Sequence, residues 1–444
     1  MTSRAGSSIR TDICAVPNGA VEERNMGGQA SRKRSNGNIL ISGASAAGPT
    51  LAYWLHRYGF NPTVVEQAPA LRTGGYAIDL RGVAVHVAER MGILADARKA
   101  STDLREILFV DSNHQTLASM DANFGAGPGQ AGDLELLRDD LAQILYAATR
   151  DTVDYVFGDS ITAITQHAQG VEVTFERGAP RTFDLVVGAD GAHSNVRGRC
   201  FGEEAQFSHY LGSHVAIFAI PNYLGYDRQW VMHYVPGKMG AIMQYGTGKH
   251  TRALLMFASP KFPYDHRDVT QQKALVTQTF AAESGWEFRR LLEEMRAASD
   301  FYFDDISQIR MGCWSNERVA LVGDAACGPT LITGQGTSMA VVGAYVLAGE
   351  LAIADGDYRS AFARYEQICR PYMTQNQRIA LQAKELRLPE TWTEIEQQNE
   401  LLRAMRAAPP ESPPPDSIGL LIQKAANAIA LPDYAQLNAF KNQR

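Results

Sequence analysis

A run of small residues, Gly43-Ala44-Ser45-Ala46-Ala47-Gly48, follows the apolar stretch Ile39-Leu40-Ile41. It precedes a segment with apolar residues at Leu51, Trp54, Leu55 and Tyr58, the spacing of one helix face. Side chains this small let backbone amides approach a pyrophosphate at a helix N-terminus. The pattern is G-x-S-x-x-G, so Ser45 stands where a glycine is usual. A glycine-rich turn alone often does no more than join a strand to a helix. Here Glu66 ends the next apolar run, Thr63-Val64-Val65, and an acid at that place can accept both hydroxyls of an adenosine ribose. The combination predicts dinucleotide binding by Gly43, Ser45, Ala46, Ala47 and Glu66.

Three further segments carry the same chemistry. Gly188-Ala189-Asp190-Gly191-Ala192-His193-Ser194-Asn195-Val196-Arg197 follows the apolar strand Leu185-Val186-Val187. Gly323-Asp324-Ala325-Ala326 follows Val319–Val322 and runs on to Gly334-Gln335-Gly336. Arg138, in Leu136-Leu137-Arg138-Asp139-Asp140-Leu141, opens a helix. The 10 histidines form no H-E-x-x-H and no pair at helical interval, and no serine sits in G-x-S-x-G, which argues against metal-dependent and serine hydrolase chemistry. Cys327 has no basic neighbour in sequence and reads as an inert small residue.

Taken together and in this order, the four motifs resemble those of the class A flavoprotein monooxygenases, the para-hydroxybenzoate hydroxylase-like family that includes the tetracycline-inactivating enzymes. The resemblance covers residues 38–435. It implies FAD as cofactor, with the adenosine held at Glu66 and the diphosphate on the first helix near Arg138. Asp324 is implied to meet the ribityl and diphosphate region, and Asp190 to serve FAD and NAD(P)H handling. Backbone amides near Gly334, Gln335 and Gly336 are implied at the flavin pyrimidine edge, and Gly323 in the turn before Asp324. Arg72 resembles another cofactor-side arginine. By the same resemblance NAD(P)H reduces the flavin, visiting transiently as co-substrate, and one oxygen atom of O2 passes to an electron-rich substrate. Each residue also has a plainer role open to it: Asp190 could cap a turn, and Arg138 could be a solvated helix charge.

The elements that must position these residues predict an α/β protein with a Rossmann-like FAD-binding domain (GR2-type), an inserted, mostly antiparallel substrate sheet and C-terminal helices. Residues 1–37 are polar and aperiodic, read as a disordered extension in which Arg32-Lys33-Arg34 is part of a solvated linker. The first part of the FAD-binding domain is expected over 38–205, the substrate domain over 206–312, and the second part with long helices over 313–408. A Pro-rich linker and a C-terminal helix packed on the body fill 409–444. Residues 83–99, 134–150 and 270–298 read as helices. Alternation gives strands at His214–Ile220, Gln229–Val235, Gly240–Tyr245 and Arg252–Ala258.

The composition fits a globular chain: 444 residues, 45% hydrophobic and 20% charged. A net charge of −6 provides no basic field for a phosphate backbone, so nucleic acid is not expected as a partner. Five scattered cysteines suggest reduced thiols. No apolar run long enough to span a bilayer is evident, which predicts no membrane association; the reduced thiols point to a cytoplasmic protein, and the oligomeric state, monomer or homodimer, stays open.

The loop after Ala326 departs from the family pattern. One proline, Pro329, remains, and Leu331 stands where a second often occurs. On the substrate side, alternate residues Trp230, Met232 and Tyr234 on one strand and Met243 and Tyr245 on the next form an uncharged face rich in aromatic and thioether surface. That face either packs as ordinary core against helices or, with Leu331 and Ile332, lines a pocket for a large apolar small molecule such as a polyketide. The leading expectation is an NAD(P)H-dependent monooxygenase acting on such a natural product. The alternatives are a cyclase, for example of the [4+2] type forming a decalin-type ring, in which FAD is structural, and a flavin-binding carrier without catalysis.

Overall fold

The computed structural model describes residues 36–71, 74–121, 132–246, 251–383, 387–407 and 417–438. The expectations for residues 1–35, for Arg72 and for most of the Pro-rich linker lie outside these residues.

Asn38–Ser42 pairs in parallel with Asn61–Glu66 on one side and Leu185–Gly188 on the other. Asp154–Phe157 extends the sheet beyond Asn61–Glu66, and Val319–Leu321 beyond Leu185–Gly188, with Ser315–Asn316 as an antiparallel edge. The central strands are apolar on both faces because parallel strands are covered on both sides; Ile39, Leu40, Ile41 and Leu185 to Val187 are all fully buried. The helices Ala47–Arg57 and Gly336–Ile353 pack beside one another on this core. Gly336–Ile353 is long and apolar enough to cross a membrane, yet 83% of it is buried inside the protein, which makes it a core helix.

The second sheet has seven strands in the order Phe301–Ile309, Ser208–Ile220, Thr251–Ala258, Lys238–Gln244, Gln229–Val235, Glu106–Val110, Thr116–Asp121. Its outer hairpin, Glu106–Asp121, comes from the segment assigned by sequence to the nucleotide-binding part. Glu106–Val110 joins Gln229–Val235 in parallel, a long-range pairing that no local pattern announces. One face of this sheet, with Phe218, Ile242, Leu255 and Phe257, packs on Val269–Phe280 and Phe288–Ala297.

Three expected helices divide, that over 270–298 into Val269–Phe280 and Phe288–Ala297. Gly92 adopts a left-handed conformation at φ +79° and separates Val83–Met91 from Leu94–Lys99. Leu134–Leu137 is a strand paired with Ala77–Leu80, and the helix starts only at Arg138. Among the described residues Cys200, Cys327 and Cys369 are free thiols.

The C-terminal segment docks on the body. Ile418–Ala426 packs against the long helix Tyr358–Gln382, and Tyr434 is buried against Gly336–Ile353, its hydroxyl donating to Glu350 at 2.6 Å.

Candidate functional site

A cleft of about 430 Å³ opens where the parallel sheet meets the seven-stranded sheet. Gly43, Ser45, Ala46 and Ala47, with Glu66, Arg138, Asp190, Asp324, Leu331, Gly334 and Gly336, line it. Thus residues from four distant motifs converge, as their chemistry requires.

The first turn is shaped by close backbone contacts. Gly43 has φ +108°, and a Cβ there would lie 2.5 Å from the Ala189 carbonyl oxygen. A Cβ on Gly48 would collide with the Gly43 carbonyl, so only glycine lets the helix start this close to its strand. The Glu66 carboxylate accepts the backbone N–H groups of Ala44 and Ala68, each at 2.9 Å, which ties the turn to the end of the second strand. Arg138 donates through Nε and Nη2 to the Ser45 hydroxyl at 3.3 Å. Its side chain therefore lies over the turn rather than in bulk solvent.

Asp190 is committed to the protein: it accepts from the Ser194 hydroxyl at 2.5 Å and from the Val196 backbone N–H at 3.0 Å, near the start of Asn195–Cys200. Although it lines the cleft, the capping role open to it in the sequence is the one its bonds describe. Asp324 differs. Its Oδ1 is buried without a protein partner, and burial pushes its carboxyl pKa up while Arg138 and Arg197 oppose that rise. Both polar atoms of the Gln335 side chain are likewise buried without partners, although Gln335 and Gly323 do not line the cleft. A Cβ on Gly323 would press against Ala47 and Ala340, so this glycine serves helix packing.

The glycine cradle, an arginine over the turn and an unsatisfied carboxylate oxygen in the same cleft fit an extended dinucleotide carrying diphosphate and hydroxyl groups.

The loop after Asp324 is pinned from below. Gln308 donates to the Pro329 carbonyl at 3.0 Å, and Gln377 donates to the Gly328 carbonyl at 3.0 Å. Thr330 sits at φ +85° and ψ +150°, a region that glycine favours, and its hydroxyl is buried without a partner. Cys327 is buried and its thiol is pushed up to about 12 by that burial, consistent with an inert residue. Gln308, Gln377 and Thr330 carry no sequence motif and were missed.

The face of Trp230, Met232, Tyr234, Met243 and Tyr245 is the one turned away from the two helices that cover the sheet. These residues do not line the cleft as it stands. They form one apolar cluster with Leu331 and Ile332, with Tyr76 and Tyr302, and with Leu402 of the helix Trp392–Ala407. Arg403 of that helix donates to the Leu117 carbonyl at 2.7 Å, holding it against the outer hairpin. Leu331 reaches the cleft and Ile332 does not.

At the cleft's rim, His193 is placed between Glu204 and Asp304. Burial works to lower its pKa, but hydrogen bonds to Asp304 and Glu204 outweigh this and raise it to about 10. Asp304 also accepts the Tyr264 and Tyr302 hydroxyls.

Comparison with known proteins agrees with this geometry. The family model described as FAD binding domain matches residues 37–380. An uncharacterised protein of Mycobacterium tuberculosis (strain ATCC 25618 / H37Rv) is 47% identical over 342 residues, covering 76% of this chain and 91% of that protein. A flavin-dependent monooxygenase from an unknown prokaryotic organism is 39% identical over 396 residues, covering 89% of this chain and 98% of that protein. Among solved structures, the tetracycline destructase Tet(55) superposes with a TM-score of 0.76 at 37% identity, covering 90% of this chain and 99% of Tet(55). With the FAD binding domain matched over most of the chain and the dinucleotide cradle in place, this protein belongs to the class A FAD-dependent monooxygenase family.

Proposed function

We propose that the protein is an NAD(P)H-dependent monooxygenase that oxidises a bulky apolar or aromatic small molecule of the polyketide type. The observation that carries this reading is the position of the Trp230–Met232–Tyr234 and Met243–Tyr245 face. It shares one apolar cluster with Leu331 and Ile332 of the cofactor loop, while the covering helices occupy the opposite face of the sheet.

In this reading Glu66 holds the adenosine ribose, the amides of Ser45 to Ala47 with Arg138 hold the diphosphate, and Asp324 holds the ribityl chain. The amides of Gly334, Gln335 and Gly336 meet the pyrimidine edge. Bound FAD supplies the redox chemistry, so no acid–base pair or nucleophile of the chain is required. The chain's own part is to bind, orient and exclude water. Arg252 stands on the same face, opposite Met243, but it is buried and paired with Asp300, so the surface around it is dominated by aromatic and thioether groups, which favours an apolar substrate. Trp230 Nε1 is buried without a partner on this face and offers one donor to a carbonyl or hydroxyl of the substrate.

The test is reduction and turnover with the purified flavoprotein. Anaerobic NADH or NADPH should bleach the bound flavin, faster with tetracyclines or aromatic polyketides present, and air should then yield a product one oxygen atom heavier. If neither nucleotide reduces the flavin while a polyene is nevertheless cyclised, the monooxygenase reading fails and a structural role for FAD replaces it.

A further inference from the structure

Three segments far apart in sequence meet at the rim of the cleft. His193 follows the strand Leu185–Gly188, His266 lies in the loop before Val269–Phe280, and Asp304 belongs to Phe301–Ile309. The ligating atoms of these three side chains lie within 4.8 Å of one another. The imidazole rings of His193 and His266 are 4.0 Å apart between centroids, at 47°. His193 Nε2 is 3.1 Å from Asp304 Oδ2 and 3.2 Å from Oδ1.

Those spacings fit a four-coordinate cation. Two ligands each about 2.0–2.1 Å from a tetrahedral Zn²⁺ lie roughly 3.3 Å apart. The supporting residues fit as well. A metal-bound imidazole commonly hands its other ring nitrogen to a carboxylate, which fixes its orientation. Here His193 Nδ1 meets Glu204 Oε1 at 2.9 Å, and Glu204 is itself held by Arg197 at 2.8 Å. Asp304 is oriented by the Tyr264 hydroxyl at 2.9 Å and the Tyr302 hydroxyl at 3.0 Å. Among the described residues no hydrogen bond occupies the ring nitrogens of His266.

We propose that His193, His266 and Asp304 form a site for a divalent transition cation of the Zn²⁺ type, with the fourth position left to water. His193 and Asp304 both line the cleft, so the site closes its rim. The cation joins the nucleotide-binding part of the chain to the substrate sheet. It replaces the proton now shared between His193 and Asp304, and the histidine spacing in the sequence could not reveal it.

The test uses the FAD-loaded, chelator-treated full chain with Zn²⁺ alone as probe. Competition against a chromophoric chelator should give one Zn²⁺ per chain with micromolar or tighter affinity. His266→Ala should weaken binding at least 10-fold, and Glu204→Gln by about 10-fold. Zn²⁺ should also raise the Tm of the wild type and leave that of His266→Ala unchanged. Co²⁺ should give visible bands of four-coordinate intensity that vanish in His266→Ala, an exposed loop variant that leaves the fold intact. Sub-stoichiometric binding, or binding and Tm shifts that survive His266→Ala, would overturn the site and leave His193 as a protonated bridge between two carboxylates.

Discussion

The carboxylate of Glu66 accepts the backbone N–H of Ala44 at 2.9 Å, so the acid that ends the second strand also holds the turn after the first. Its other oxygen accepts the Ala68 N–H at the same distance. The two bonds shape the turn before any nucleotide binds. Glutamine cannot replace this acid, because both N–H groups need an acceptor and an amide presents a donor to one of them. Glu66→Gln and Glu66→Ala should each weaken FAD binding by about 10- to 100-fold, the range expected for loss of charge-assisted hydrogen bonds. Flavin fluorescence released on dilution measures it, and unchanged affinity in both variants would remove Glu66 from the site.

Arg138 and Asp324 reach the cleft from segments far apart in the chain. Removing either should loosen the cofactor, Arg138 by losing a cation over the turn and Asp324 by losing a buried acceptor with no protein partner. We expect a lower flavin-to-protein absorbance ratio after gel filtration for Arg138→Ala and Asp324→Ala, with the folded fraction unchanged by circular dichroism. Full retention of FAD by both would contradict the assignment.

Thr330 is strained in a conformation suited to glycine. Such strain costs about 1–3 kcal/mol, and glycine returns roughly 0.5–1 kcal/mol of it through added freedom in the unfolded chain. Thr330→Gly should therefore raise the Tm by a few degrees while slowing turnover, since the loop it shapes lies against the cleft. A lower Tm would show that the threonine is not strained there.

Glu135 gives a pH dependence. Burial, then the nearby Asp79 carboxylate, push its pKa up to about 7, against the opposing hydrogen bond from Thr102. A raised folded-state value means the native protein holds this proton more tightly than the unfolded chain. The associated stability is present below the ordinary carboxylate range and is lost as pH rises through 7. Glu135→Gln keeps an acceptor for Thr102 and removes the titration. Its Tm relative to wild type should climb between pH 5 and pH 8; a parallel pair of curves would refute the shift.

Tyr434 anchors the C-terminal tail through its buried ring and its bond to Glu350. Tyr434→Ala removes a buried aromatic and should cost up to about 3–5 kcal/mol in urea unfolding, capped by the free energy of tail docking. Gly349→Ala should mimic part of this, because its new methyl would enter the Tyr434 ring. If neither variant alters the unfolding midpoint, the tail is not an anchor.

The cofactor side of this protein was legible because its signals are local. A small-residue turn between a strand and a helix must be read within a few residues: Gly43 and Gly48 belong to one such stretch and Asp324 to another, while Glu66 closes a strand and Arg138 opens a helix. The convergence of Gly43, Glu66 and Asp324 follows once the strands of one parallel sheet are ordered, whereas Arg138 arrives from the helix after Leu134–Leu137, a strand of a separate two-stranded sheet. Boundaries failed where a single backbone conformation decided them, as at Gly92, or where a partner strand lay far away, as for Leu134–Leu137.

The rest needed tertiary structure. Alternation identified the face of Trp230, Met232, Tyr234, Met243 and Tyr245, but its period is the same for core and for pocket. The structure places two helices on the opposite side and Leu331 and Ile332 in the cluster on this one, and the five residues of the face do not line the cleft. The pinning of the loop by Gln308 and Gln377, the strain at Thr330 and the meeting of His193, His266 and Asp304 join residues distant in sequence. No spacing rule connects such residues, because their contacts arise from chain crossings between two sheets. The sequence by itself determined which nucleotide chemistry the chain supports, through short-range backbone geometry. The folded arrangement alone decided what surrounds that chemistry.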